Sequence, residues 1–404
     1  MKKLWMLAAV ATGMLASCSN DSDVTPGATS SQEEDNSPML MQLGARSDVL
    51  VVKPLGARSG TGSVGGTDSP DDWNQWDGED VYVYAVDQRE TLEPEATRVV
   101  INNEKASTKN ITGSNGLLEL QGGKTHYYSG KGLYEFYAYH IDDAGVVPEY
   151  NYGDALKADV TIDGTQDLMV ATTDKTSDIQ YVLDNLDANP LPEGRELKLE
   201  DTPYLYSAWS ARRNVVPTLN FKHLLARLKF YVKAGDASSK DAGLKIKSIE
   251  VLNAKSKGVL TIIPTADETQ GFVADADQPE DVIFSLKQKP ATGADKTLVE
   301  LVETDVTTTD NMAIGQSMLL IPDAKYTVRV VMTQERNGVR EDVKGEYEIT
   351  AKDAENQATT FEAGKSYNVY VTIYESRPIE IKASLGVWEN GGSATIDPDD
   401  KPNN

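Results

Sequence analysis

The stretch Asn220-Phe221-Lys222-His223-Leu224-Leu225-Ala226-Arg227-Leu228-Lys229-Phe230-Tyr231-Val232-Lys233-Ala234 decides the fold class, because it can be read with two periods. Leu224, Leu225 and Leu228 would share one face of a helix. Over ten residues, however, Leu224, Ala226, Leu228, Phe230 and Val232 alternate with His223, Arg227, Lys229 and Lys233. A side-chain period of two predicts a strand with one face in a core.

The same period recurs outward in both directions. Val81 to Val86, Leu133 to Ile141, Leu168 to Thr172, Gly345 to Thr350 and Tyr367 to Tyr374 are short runs rich in Val, Ile, Tyr and Thr, set between Gly, Asp, Asn and Pro clusters. No long heptad pattern and no strand-helix alternation is visible, so the chain reads as all-β, built of sandwiches or open barrels. The 404 residues fit two such domains. Asp184 to Pro203, which holds Asn189-Pro190-Leu191-Pro192 and no alternation, suggests a boundary, giving domains over 73–200 and 201–404, the second with a polar tail from Glu389.

Ahead of the first strand the chain reads as an export signal. Met1-Lys2-Lys3 is followed by a mostly apolar run from Leu4 to Leu15 and then by Ala16-Ser17-Cys18. The run falls short of the roughly 20 apolar residues a membrane helix needs, and Ser19-Asn20-Asp21-Ser22-Asp23 follows it. Residues 18–72 then form a Ser-, Asp-, Gly- and Thr-rich tether. Two apolar islands interrupt it, Met39 to Leu43 and Asp48 to Val52, and each precedes a copy of one pentapeptide: Leu43-Gly44-Ala45-Arg46-Ser47 and Leu55-Gly56-Ala57-Arg58-Ser59. An apolar run inside a polar linker needs somewhere to be buried. An arginine among small residues in exposed chain suits a trypsin-like protease. The plainer alternative is a linker with a duplicated patch.

Composition narrows the function. Lys plus Arg is 39 against 63 Asp plus Glu, a net charge of −24, which disfavours nucleic acid as a partner. Cys18 is the one cysteine, so no intrachain disulfide can form. Gly60-Thr61-Gly62-Ser63-Val64-Gly65 matches the dinucleotide fingerprint in letters, but Gly66 to Asp72 cannot open the helix that this chemistry needs. His126, His140 and His223 lack metal-ligand spacing, the acidic runs lack calcium-loop spacing, and no nucleophile elbow exists. The chain therefore reads as no enzyme, with no cofactor and no metal. A hydrolase built on scattered carboxylates has no motif behind it.

Several segments together resemble the fimbrillins, the pilus subunits of Bacteroidales and related bacteria. They are Leu15-Ala16-Ser17-Cys18 with its acidic follow-on, which is similar to a lipoprotein lipobox, and the apolar strand ending in Arg before a Gly-rich stretch. Val81-Tyr82-Val83-Tyr84, Leu133 to Tyr139, Leu219 to Leu228, and Gly364-Lys365-Ser366-Tyr367-Asn368-Val369-Tyr370-Val371 running on to Trp388 complete the set. The resemblance implies two transthyretin-like β-sandwiches in tandem and export as an outer-membrane lipoprotein, palmitoylated at Cys18. It further implies an arginine-specific cut that removes an N-terminal strand, and an adhesive fimbrium in which a neighbour's C-terminal strand fills the groove. The cut maps onto Arg58, with Arg46 second, and two equivalent sites leave the mature terminus open.

The C-terminal residues suit such a donor on their own pattern. Ile379, Ile381, Ala383, Leu385 and Val387 alternate with Glu380, Lys382, Ser384 and Gly386, so an extended segment presents five apolar knobs on one face. The simpler reading is the last strand of its own domain, opened by Pro378. A second function class, a lipid-anchored glycan-binding protein, rests on Trp73, Trp76 and Trp209 in loop-like segments. The partners expected are other pilus subunits and the outer membrane.

Overall fold

The run from Asn220 to Ala234 is two strands, not one. In the computed structural model the residues described are 39–47, 80–89, 95–112, 115–129, 133–142, 149–173, 175, 206–211, 215–240, 242–288, 298–336, 339–352, 357–374 and 380–385. Within them Thr218–His223 and Ala226–Ala234 belong to different sheets. Leu224 and Leu225 make the step, and it reverses the alternation. Leu219, Phe221 and His223 are buried before it; Leu228, Phe230, Val232 and Ala234 are buried after it. The backbone of the step stays bonded, Leu224 donating to the Leu168 carbonyl (2.9 Å) and the Leu225 carbonyl accepting from Gly364 (3.0 Å).

The expected solvent face of the second strand is also wrong at one end. Arg227 and Lys229 are buried, with Arg227 Nε donating to Ser317 Oγ at 2.8 Å. The reason is position in the sheet. Ala226–Ala234 is an inner strand, flanked by Met312–Leu320 and Ser366–Ile373, in a four-stranded sheet that ends with Glu380–Leu385. Both of its faces are covered until Tyr231, which stacks on Tyr370 half in solvent. Gly315, in the left-handed region at φ 68°, carries the irregular register opposite this strand, and a Cβ there would come 2.6 Å from Leu286 Cγ.

The earlier strands close on themselves. Around the ring the order is Thr218–His223, Leu43–Ser47, Asn115–Leu120, Val99–Thr112, Asp80–Asp87, Tyr134–Ile141 and Leu168–Thr173, which pairs again with Thr218–His223. Where the sequence suggested an open sandwich, hydrogen bonding thus gives a seven-stranded barrel. The all-β class stands. Every pairing in the ring is antiparallel except that of Leu43–Ser47 with Thr218–His223, which is parallel.

Sheet membership changes between 223 and 226 rather than near residue 200, and the two parts are knitted further by Leu156–Thr161, which pairs with Lys257–Ile263. Strands Asp80–Asp87 and Leu168–Thr173 have apolar side chains on both faces. Val83, Ala85, Met169 and Ala171 point into the barrel, while Tyr84, Val86, Leu168 and Val170 join the larger core formed with the later sheets. Burial on two sides accounts for their nearly unbroken apolar runs.

Candidate assembly site

The strand Leu43–Ser47 is the first copy of the repeated pentapeptide, so the sequence element read as a cutting site is itself a structural strand. It lies between Asn115–Leu120 on one side and Thr218–His223 on the other. Ala45 sits opposite Gly116 and Leu219, and Arg46 opposite Asn115 and Asn220. Upstream, Met39 and Leu40 pair with Tyr128 and Tyr127, and the Met41 N–H donates to the His126 carbonyl at 2.8 Å. His126, in turn, has its ring 3.1 Å from Glu104 Oε2.

Alternation divides the segment. Met41, Leu43 and Ala45 are 9%, 4% and 5% exposed and belong to the barrel core with Phe136, Tyr128, Tyr206, Leu219 and Phe221, whereas Leu40 and Gln42 face solvent. Burying Met41 and Leu43 stabilises the seated strand by about 1.5–3 kcal/mol each before ordering costs. The aromatic side chains set edge to face on this floor, Phe136 against Tyr206 (centroids 5.9 Å apart) and against Tyr128 (6.3 Å), make the cavity wall stiff. Sequence reading missed this strand because Gly44 and Arg46 dilute its strand propensity. The signal was present in the alternation Met39, Met41, Leu43, Ala45.

The C-terminal strand Glu380–Leu385 is also seated within its own chain. It is an edge strand antiparallel to Ser366–Ile373, with Ile381 opposite Val371, Ala383 opposite Val369 and Leu385 opposite Tyr367. Ile381 and Ala383 are 1% and 0% exposed. Cys18, Arg58, Ile379 and Val387 lie outside the described residues, as do Trp73 and Trp76. Trp209 falls in the short helix Ala208–Ala211.

A buried polar group closes one end of the barrel. His140 Nδ1 donates to the Asp80 carbonyl (2.7 Å) and its Nε2 lies 3.3 Å from Asp142 Oδ1, while Asp142 Oδ2 accepts from the Asp167 N–H (3.1 Å). His223 Nδ1 is 2.8 Å from Asp167 Oδ2. Burial pushes the His140 pKa down, but Asp142, the Asp80 carbonyl and Asp167 outweigh it and raise the group to about 10. Both ring nitrogens face acceptors, which is the arrangement an imidazolium satisfies.

A folded pKa above the unfolded value near 6.5 stabilises fully below that value, and the contribution is lost as pH rises through about 10. The urea midpoint of the wild type is therefore expected to fall between about pH 7 and pH 10, and that of His140→Gln to change much less over the same range. Parallel pH profiles for the two proteins would count against the buried imidazolium. Among the described residues no three His, Cys, Asp or Glu side chains are grouped to hold a metal ion.

Residues 71–388 match the fimbrillin-like family. The chain belongs to that family. Membership supports a role as a fimbrial subunit at the cell surface, associated with other pilus subunits. Among solved structures this fimbrillin-like chain is similar to a proposed cell adhesion protein from Bacteroides uniformis, at 13% identity and TM-score 0.43 over 86% of this chain and 98% of that one. A second such protein, from Bacteroides ovatus, gives 13% and 0.43 over 89% and 99%. The fimbrial anchor protein Mfa2 from Porphyromonas gingivalis gives 13% and 0.32 over 88% and 100%. No curated protein matches.

Proposed function

We propose that this fimbrillin-like protein is exported as a lipoprotein acylated on Cys18, is cut after Arg58 by an arginine-specific protease, and polymerises into an adhesive fimbrium by exchange of strands between subunits. One observation carries the reading. Strand Leu43–Ser47 belongs to the N-terminal segment, yet it fills a position in the middle of the barrel, so losing it opens a long apolar slot between Asn115–Leu120 and Thr218–His223. Several acyl chains on one cysteine hold the precursor on a membrane where a single chain would be marginal.

The occupant of the slot is the C-terminal strand of a neighbour, Ile379 to Val387. That strand lies at the edge of its sheet, so it leaves without breaking the sheet's interior. Arg46 is the poorer cutting site while the strand is seated, since its backbone is paired on both sides and a protease needs a free extended chain.

Purified precursor treated with an arginine-specific protease is expected to lose residues 1–58 and to give ladders that survive SDS, and Arg58→Ala precursor is expected to stay monomeric. N-terminal sequencing should find Ser59 at the start of the trimmed protein before any cut after Arg46 appears. Trimmed subunits that remain monomeric would overturn the reading.

A further inference from the structure

Two rows of side chains in this chain run through the same order of sizes. The resident strand turns Met41, Leu43 and Ala45 inward; the C-terminal segment carries Ile379, Ile381 and Ala383 at the same spacing. Each reads large, large, alanine. Ala383 is the one small member of its apolar row, which continues with Leu385 and Val387.

Resting on the strand exchange proposed above, we infer that the strand of a second copy enters in one register, with Ala383 at the place of Ala45 and Ile381 at that of Leu43. It runs parallel to Thr218–His223 and antiparallel to Asn115–Leu120, as the resident strand does. A slip of one residue would turn every apolar knob to solvent. A slip of two puts Ile381 or Leu385 where Ala45 sits, 5% exposed between Gly116 and Leu219, and overpacks the core.

The outer face favours the same register independently. Gly44 lies opposite Leu117, and Leu117 is left 50% exposed beside it. In the inferred register Lys382 takes the place of Gly44, its methylene stem covers Leu117, and its ammonium reaches toward the exposed Glu119 two residues along. The newcomer also brings two isoleucines and no glycine, which suits a strand better than Leu-Gly-Ala-Arg. Exchange therefore runs toward the incoming strand.

The register is open to a disulfide test. Trimming after Arg58 removes Cys18, the one native cysteine, so introduced thiols pair without background. Arg46 sits opposite Asn115, so Ser384 of the incoming strand should meet the neighbour's Asn115. Trimmed Ser384→Cys and Asn115→Cys subunits, mixed and polymerised under mild oxidation, are expected to give covalent dimers. Lys382→Cys with Asn115→Cys should give at least roughly tenfold less, because two residues along a strand is about 6.6 Å and beyond disulfide reach. Ladders that form while Lys382→Cys is the pair that cross-links would overturn the register and leave strand exchange standing. If trimmed subunits neither polymerise nor cross-link in any pairing, the exchange itself fails and the register with it.

Discussion

Leu43→Asp in the untrimmed protein is expected to release the resident strand without any proteolysis, and so to let the precursor capture a synthetic peptide of residues 379–387. Leu43 is buried in the barrel core. Its replacement forfeits about 1.5–3 kcal/mol of apolar burial and adds the cost of setting a carboxylate in the same place, together on the order of 4–5 kcal/mol. That shifts the balance between seated and released strand by roughly three orders of magnitude, at 1.4 kcal/mol per factor of ten. Gln42→Asp, one residue away on the exposed face, should change stability by no more than about 0.5 kcal/mol. Fluorescence anisotropy of the labelled peptide against both variants and the wild type reads the difference. Equal binding to all three would mean that the strand does not gate the slot.

The second large effect concerns the floor beneath that strand. Phe136 is fully buried between Tyr128 and Tyr206, meeting each ring edge to face. Phe136→Ala removes a whole ring from a wall held by stiff neighbours that collapse poorly, so it is expected to cost about 3–5 kcal/mol in urea unfolding. Leu117→Ala, on the half-exposed outer face of the adjoining strand, is the contrasting change and should cost less than about 1 kcal/mol. A loss under about 1 kcal/mol for Phe136→Ala would show that the barrel interior is looser than its packing implies.

Alternation alone was enough to read the class of the fold and most of the strands, because each buried face repeats every second residue. It failed where the chain changes sheets. Leu224 and Leu225 are both apolar, so either phase can be carried through them, and nothing local marks the slip that separates Thr218–His223 from Ala226–Ala234. Arg227 and Lys229 misled for a different reason. Their charge argued for a wet face, whereas an inner strand of a covered sheet can bury long cationic side chains when partners such as Ser317 stand nearby.

The assembly site was half legible. The apolar island at Met39 to Leu43 demanded a burial place, and the C-terminal knobs were plain. Which strands flank the island could not be read, because the pairing of Ala45 with Leu219 joins residues far apart in the chain. The buried His140 and Asp142 and the pair His223 and Asp167 were likewise invisible as a group, since a bend of the chain rather than a motif brings them together.

That parallel pairing also bears on the order of folding. Leu43–Ser47 emerges early during synthesis and export, but the strand it lies beside is not made until more than half of the chain is out, and closing so long a loop is slow. The ring must therefore shut last, with a gap of the right shape standing open beforehand in every newly translocated molecule. A subunit secreted among its own kind runs a race at that moment, its own tethered segment winning by local concentration over anything a neighbour could offer.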